Sequence, residues 1–592
     1  MCGIFGYIGP KDCKDIIQEG LESLEYRGYD SAGIAFRSDR QMLSVVKTLG
    51  SASKSNWTIT TEEQFNIGIG HTRWSTHGKP TLTNAHPHTS NDGKIAIVMN
   101  GIIENYEELK LTLDYTYTFN STTDTEVLAH LIQREYYKEP ILRNAVTTAC
   151  REVKGKFAVA VIHADEPVIV CYSNGAPLHI AQVENHEHYI SSDINSLCKV
   201  SPYIGSLKDR QIAVVSKCGL EVRDKYALKE YDFLKYIKPT TKVSNDMSLN
   251  GYETHMMKEI NEQSQIIKNV LHTGLGNSSS LFDNHFDSVV IIGCGSSYNA
   301  GLTAKYLFHT LNIPTEVYCA SEYKYYSAPI KENSLFIFLT QSGETADTLS
   351  CAQTVKSRKT SDIKMIAITN SVYSSITNFV DEVEYLHAGT EVSVAATKSF
   401  TSMLTVLYQI GLRMCNVEEL KQEFEQVPNW YTHFTQYHSI EYLVSRIMRE
   451  NNIKHFIFLG KGYNYPIALE GALKLKEISY MPACGYPSGE MKHGPIALLD
   501  ENVAVIVLNN SGRFQSKTIS SLKEAETRGA KIINVSDTFV GAHYNITVPT
   551  FSEELTPFIN VLVLQLFAYY VAKERGLNID RPRNLAKSVT VE

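Results

Sequence analysis

SVVIIGCGSSYNAGLTAKYLF (Ser288–Phe308) and HFIFLGKGYNYPIALEGALKLKE (His455–Glu477) follow one pattern twice: an apolar run, a Gly-x-Gly turn, then a helix rich in small residues. The likeness continues downstream. SLFIFLTQ (Ser334–Gln341) and KMIAITN (Lys364–Asn370) follow the first stretch, and NVAVIVLNN (Asn502–Asn510) and AKIINVS (Ala530–Ser536) are their counterparts after the second. Apolar strands alternating with longer helical patterns mark parallel sheets with crossover helices, because strands covered on both faces lose the apolar–polar alternation. Two α/β copies are expected, at 251–430 and 431–580, followed by a short tail at 581–592.

Upstream the texture differs. Short β-branched or alternating runs, among them CGIFGYI (Cys2–Ile8), SAGIAF (Ser31–Phe36), KIAIVMNG (Lys94–Gly101) and KFAVAVIHA (Lys156–Ala164), are interrupted by two helical patterns, around Asp15–Glu25 and Asp124–Tyr137. Many strands with few helices predict packed sheets in an α+β arrangement over 2–235. The polar stretch 236–250 has neither apolar period and reads as a linker.

Composition narrows the function classes. Of 592 residues, 56 are Lys or Arg and 64 Asp or Glu, a net charge of −8 that argues against a general nucleic-acid binder. The longest nearly apolar run, Ile559–Ala572, contains Asn560 and Gln565 and falls short of the ~20 residues that cross a bilayer, so a buried helix is expected and no membrane partner. The start MCGIFGYIGP lacks the features of a secretory signal, and 11 cysteines without a CxxC pair suit a reducing, cytoplasmic setting.

Met1-Cys2-Gly3 is the first chemical clue. Removal of the methionine would leave Cys2 with a thiol and an α-amine whose intrinsic pKa near ~8 lets it accept the thiol proton, putting nucleophile and base in one residue. On position alone Cys2 also reads as a small buried side chain. Five further segments alter that reading together: LEYRGYDSAG (Leu24–Gly33), HTRWSTHG (His71–Gly78), NAHPH (Asn84–His88), NGIIENY (Asn100–Tyr106) and TDTEVLAHLI (Thr123–Ile132). With these residues, 2–235 resembles the glutamine amidotransferase domain of the N-terminal-nucleophile hydrolase fold, in which antiparallel sheets are sandwiched. The whole chain resembles the glutamine–fructose-6-phosphate aminotransferase family, down to the closing DRPRNLAKSVTVE.

The resemblance implies an N-terminal glutaminase followed by two SIS sugar-phosphate domains. Attack on an amide carbon develops an oxyanion, and the resemblance assigns its donors to Asn100 and Gly101. It gives Arg73 the α-carboxylate of glutamine and Asp124 the α-ammonium; read alone, Arg73 suits a surface ion pair and Asp124 a helix N-cap. Trp74, Thr76 and His77 fall in the family's glutamine-covering loop, although a lone Trp is usually core. Met99 stands where many members carry His.

In the first SIS copy, Gly293-Cys294-Gly295-Ser296-Ser297 and Thr340-Gln341-Ser342-Gly343-Glu344-Thr345 are hydroxyl-rich turns that open helices and can present N–H groups to an anion. An unliganded turn of the same composition is the bland alternative. By resemblance the phosphate ligands fall on Ser297, Thr340, Gln341, Ser342 and Thr345. In the second copy, Glu470, Lys474 and Glu477 share one helix face, as an exposed salt-bridge stripe or as acid–base groups. Resemblance assigns C1-to-C2 proton transfer to Glu477, sugar orientation to Lys474 and support to Glu470. It assigns ring opening to His493 from a neighbouring subunit, and a Schiff base with C2 to Lys587. Arg581, Arg583 and Lys587 could otherwise be a solvated basic end, but Ser588-Val589-Thr590-Val591 looks apolar enough to dock.

The implied reaction converts L-glutamine and D-fructose 6-phosphate to D-glucosamine 6-phosphate and L-glutamate. It implies a sheltered path for ammonia, a homodimer or higher homo-oligomer, and no cofactor or metal. An amidotransferase with another acceptor, or a sugar-phosphate-binding regulator that has lost catalysis, are the rival readings.

Overall fold

Side-chain alternation lays out the N-terminal half. On the strand Gly3–Ile8, Ile4 and Ile8 enter one core while Phe5 and Tyr7 enter another; on Ile95–Gly101, Ala96 and Val98 join the first core while Ile95, Ile97 and Met99 face a third. Strands whose two faces are both buried must be covered on both sides. The computed structural model describes residues 2–54, 57, 63–75, 77–113, 115–183, 186–224, 227–228, 233–236, 248–276, 286–326, 328–372, 374–415, 417–434 and 439–589. The chain divides into two compact units, Met1–Lys242 with Ala586–Glu592, and Val243–Leu585.

In the first unit an eight-stranded sheet runs in the order Lys235–Tyr236, Tyr203–Ser206, His179–Val183, Glu187–Ser191, Gly3–Ile8, Ile67–Arg73, Ser31–Arg37, Leu43–Leu49. A seven-stranded sheet runs Ala227–Leu228, Gly219–Arg223, Gln211–Ser216, Val168–Asn174, Phe157–His163, Ile95–Gly101, His88–Thr89. The strand pairs in both are antiparallel. One core lies between the sheets; the helix Cys13–Leu24 covers the outer face of the first, and Asp124–Lys138 with Leu142–Glu152 covers the outer face of the second. The result is four layers, helix–sheet–sheet–helix.

The second unit contains two five-stranded parallel sheets of the same order, second–first–third–fourth–fifth. The first comprises Thr315–Cys319, Ser288–Gly293, Ser334–Thr340, Lys364–Thr369 and Glu382–Tyr385; the second comprises Ala483–Pro487, His455–Gly460, Val503–Leu508, Lys531–Ser536 and Tyr544–Thr547. One hydrophobic core runs through both copies, taking Ile291, Ile337 and Ile366 from one sheet and Phe456, Ile506 and Ile533 from the other. The expected apolar helix is Thr556–Glu574, apolar on every side because it is enclosed on every side. It belongs to a helical segment, Glu553–Glu574, that is long and apolar enough to cross a membrane, yet its apolar window is entirely buried inside the unit.

The expected linker lies mostly at 237–247, outside the described residues; Tyr236, assigned to it, instead completes the last strand against Tyr203. The tail is not one separate element. Asp580 packs within the second unit, its carboxylate accepting the backbone N–H groups of His255 (2.8 Å) and Met256 (2.8 Å) at the start of the helix His255–Thr273, where orphan amide donors favour an anion. From Ala586 onward the tail groups with the first unit. Ser588 is buried, but Val589, expected to dock, is 56 % exposed; Thr590–Glu592 lie outside the described residues.

Candidate active sites

The first site gathers at the ends of three strands. Cys2 precedes Gly3–Ile8, Arg73 ends Ile67–Arg73, and Asn100 and Gly101 end Ile95–Gly101. The Trp74 backbone N–H donates to Cys2 Sγ (3.3 Å), and the thiol lies 3.4 Å from the Trp74 carbonyl. Burial pushes the Cys2 thiol up, while the Trp74 amide and the Arg73 charge pull the other way. Asn100 donates from Nδ2 to the Cys2 carbonyl oxygen (3.1 Å), which holds its amide N–H against the nucleophile's residue. Gly101 has φ +116°, and a Cβ there would meet the Lys156 carbonyl oxygen at 2.2 Å, so only glycine fits.

His71 is the residue that sequence reasoning missed. Its Nε2 contacts two acceptors, the Met99 carbonyl oxygen (2.9 Å) and Asn100 Oδ1 (3.2 Å), so this nitrogen carries the proton and donates. That bond fixes which end of the Asn100 amide faces Cys2. Burial holds His71 down at about 3, and it stacks on His86 at 4.2 Å, itself held well below the ordinary histidine value by burial. The signal was present in the HTRWSTHG segment, but its partner Asn100 lies in the opposite sheet. Met99 has its side chain in the core beneath the helices, away from Asn100's face of the strand.

Arg73 is 3 % exposed. Its Nη2 donates to the carbonyl oxygens of His77 and Gly78 (3.2 Å to the latter), and its Nη1 is buried with no partner among the described residues. Asp124 is 5 % exposed, accepts the Ile103 N–H at 2.8 Å, and has its carboxyl pushed up by burial against the counter-pull of that N–H and of His77. Thr123, not Asp124, occupies the cap position: the helix begins at Asp124 itself. A buried guanidinium donor without a partner and a desolvated carboxylate suit a zwitterion with opposite charges. Trp74 packs edge-on to Tyr29 at 5.7 Å and His77 edge-on to Tyr106 at 5.4 Å; Thr76 lies outside the described residues.

The second site is built where the two parallel copies meet. Strands one and three of the first sheet are neighbours, Gly293 opposite Leu339, so the turns Cys294–Ser297 and Thr340–Thr345 leave the sheet side by side. In this strand order that is the point where connections diverge and ligands bind. Thr340 Oγ1 and Thr345 Oγ1 are 3.0 Å apart, Gly343 N–H donates to Thr340 Oγ1 (3.1 Å), and Glu344 N–H donates to Ser342 Oγ (3.1 Å). The helices Ser296–Thr310 and Ala346–Arg358 start from these turns, with Ser297 and Gln341 half-buried beside them.

The helix Asn464–Ser479 of the second copy packs against that of Ser296–Thr310. Lys474 Nζ lies 2.7 Å from Glu477, 3.5 Å from Glu470 and 3.2 Å from Ser296 Oγ. Glu470, fully buried, accepts from Ser296 Oγ (2.8 Å) and Asn299 Nδ2 (2.8 Å). The row is therefore not an exposed stripe. Burial alone would disfavour the ammonium, but Glu477 and Glu470 hold Lys474 up at about 12. His493 is exposed in the short turn Glu490–His493, and Lys587 is half-buried in the segment grouped with the first unit. Among the described residues, no group of three or more His, Cys, Asp and Glu side chains is arranged to hold a metal ion.

A glutamine amidotransferase domain model matches residues 71–199, and an SIS domain model matches 282–413 and 451–575. Over the full length of both chains the sequence is 39 % identical to glutamine–fructose-6-phosphate aminotransferase (isomerizing) of Clostridium tetani, and 40 % to that of Aquifex aeolicus. The chain belongs to the glutamine–fructose-6-phosphate aminotransferase family. Its architecture is that family's: an N-terminal-nucleophile glutamine amidotransferase domain followed by two SIS domains. Among solved structures, the C-terminal domain of glucosamine-fructose-6-phosphate aminotransferase from Francisella tularensis matches 57 % of this chain and 100 % of that one, with 32 % identity and a TM-score of 0.53.

Proposed function

We propose that this protein converts L-glutamine and D-fructose 6-phosphate to L-glutamate and D-glucosamine 6-phosphate. The observation that carries the reading is the junction of the two parallel copies, where a buried lysine flanked by two carboxylates touches the turn of a hydroxyl-lined anion cradle. Working boundaries are 2–235 for the glutaminase, 251–430 and 431–580 for the SIS domains, and 581–592 for the tail.

In the glutaminase, Cys2 with its freed α-amine attacks the side-chain amide. Asn100 and the Gly101 N–H receive the oxyanion, Arg73 clamps the α-carboxylate, and Asp124 faces the α-ammonium, with Trp74, Thr76 and His77 closing over glutamine. In the sugar half, Ser297, Thr340, Gln341, Ser342 and Thr345 hold the phosphate. His493, supplied by the neighbouring subunit of a homodimer, opens the ring. Lys587 condenses with the C2 carbonyl and expels water. Ammonia then adds to the iminium carbon and releases the lysine amine. Glu477 moves the proton from C1 to C2, and the charged Lys474 orients the hydroxyls. The setting is cytoplasmic.

Incubation of the purified chain with glutamine and fructose 6-phosphate, with identification of the amino sugar, tests the proposal. Cys2→Ala is expected to abolish glutamine use and retain amination from supplied ammonia, and Lys587→Ala to abolish amination. Glutamine hydrolysis without any amino sugar would refute it.

A further inference from the structure

The second sheet has the same strand order as the first, so it has its own divergence point between His455–Gly460 and Val503–Leu508. Gly293 stands opposite Leu339 in one sheet, and Leu459 opposite Val507 in the other, which aligns Thr340–Thr345 with Asn509–Phe514. The cradle sequence Thr-Gln-Ser-Gly-Glu-Thr thus corresponds to Asn-Asn-Ser-Gly-Arg-Phe. The Ser-Gly pair is retained, and both glycines, Gly343 and Gly512, have positive φ (+70° and +134°). An open cleft lies here, lined by Lys461, Asn464, Asn510, Ser511, Glu553 and Thr556, among others.

Its polar groups are built, not incidental. Asn510 Oδ1 accepts from Asn464 Nδ2 (3.2 Å) and from Asn560 Nδ2 (2.6 Å), and Asn560 Nδ2 also donates to Asn464 Oδ1 (2.7 Å). Asn560 is fully buried and Asn464 is 9 % exposed, so these amides cost free energy unless bonded. With its oxygen committed twice, Asn510 has its Nδ2 without a partner among the described residues; Ser511 Oγ and Lys461 Nζ have none there either. The acidic wall is neutralised, since Glu553 pairs with Arg513 at 2.7 Å. Three uncommitted donors, one cationic, in a cleft with a compensated carboxylate are complementary to a phosphate monoester, and Asn464 and Thr556 on the same lining offer polar side chains to hydroxyls.

We propose that this cleft is a second binding site for a phosphorylated sugar, separate from the cradle of the first copy. The site takes the phosphate on Lys461, Asn510 and Ser511.

The test is equilibrium titration of the full chain with glucitol 6-phosphate, an open-chain hexitol phosphate that cannot be aminated, with inorganic phosphate in a parallel arm. Two molecules bound per chain are expected. Asn510→Asp keeps the accepting oxygen but puts negative charge in the cleft, and is expected to remove one molecule and leave the other. Lys461→Ala, at a half-buried position outside the amide cluster, gives the same loss. Ser342→Ala with Thr345→Val removes the other molecule and leaves this one. A single molecule per chain in the unaltered protein, or two in both Asn510→Asp and Lys461→Ala, overturns the proposal. Inorganic phosphate binding this cleft as tightly as the hexitol phosphate overturns the sugar assignment.

Discussion

Lys474 Nζ, carried by a helix of the second SIS copy, lies 3.2 Å from Ser296 Oγ, at the start of the helix Ser296–Thr310 of the first copy. The Glu470–Lys474–Glu477 row of one copy and the Gly293–Ser297 turn of the other are thereby in direct contact. The side chain of Lys474 is 1 % exposed and that of Glu470 is 0 % exposed, so the two opposite charges are paired out of water.

Replacing Lys474 with Met is expected to destabilise the second unit by about 3 kcal/mol, because removing one member of a buried pair strands the other. Adding Glu470→Gln to Lys474→Met should recover part of that loss, as seen in thermal unfolding, while amination stays absent in both and glutamine hydrolysis persists. Equal stability of Lys474→Met and the parent would show the pairing to be energetically idle.

At the first site, Asn100→Ala should lower kcat for glutamine hydrolysis by about 10²–10³-fold with a smaller effect on KM, the signature of a lost oxyanion donor. His71→Ala, which frees the Asn100 amide to rotate, should show the same kcat-weighted defect at smaller size, and His71→Gln should recover part of it by keeping a donor to Oδ1. A defect confined to KM would place His71 in glutamine binding instead.

Gly101→Ala is expected to remove most glutaminase activity and to cost stability of at least about 1 kcal/mol, since the new Cβ falls 2.2 Å from a carbonyl oxygen in a backbone conformation that L-residues avoid. Urea unfolding and a glutamine assay on the same preparation check both parts.

The N-terminal unit should lose stability in mild acid. Burial holds His71 at about 3 and His179 at about 4, and holds His86 and His88 well below the ordinary value of 6.5. Below 6.5 the unfolded chain binds protons that the folded unit refuses, so stability falls as pH drops through that value and the loss ends only below the folded values. Each such group contributes up to about 1.4 kcal/mol per pH unit in that window. Urea midpoints measured from roughly pH 7 to 5 should decline, and less steeply in His71→Gln; a flat profile would contradict the buried neutral state.

The tail is latched near its root: the Arg583 backbone N–H donates to Tyr480 Oη at 2.7 Å, and its guanidinium lies 4.4 Å from the centre of the Tyr480 ring. Tyr480 caps the helix that carries Glu477. Tyr480→Phe removes the accepting oxygen and should make the tail easier to cleave by protease. It should also depress amination more than glutamine hydrolysis; equal loss of both activities would point to a general folding defect.

Much of this was legible from local pattern. The parallel strands announced themselves as unbroken apolar runs, and the duplicated Gly-x-Gly turns matched one copy to the other. The strand Glu187–Ser191 was not legible, because Glu187 is buried only through Tyr7 (3.0 Å), Tyr189 (2.8 Å) and Lys11, partners that the linear pattern does not bring together. The helix Leu142–Glu152 was missed although Leu142, Ala145, Val146, Ala149 and Cys150 recur at helical spacing, since small side chains give that stripe little contrast. At the sites, hydroxyls and glycines in turns were readable as types, whereas the His71–Asn100 bond depends on two sheets facing one another.

The common interior of the two SIS copies, threaded by the helix Thr556–Glu574, has a consequence for how this half of the molecule lives and dies. Severing the duplication would open an oily seam along its whole length, so neither repeat can be a free-standing module. The pair should melt in a single step, and a lesion in one repeat should be felt at once in the other.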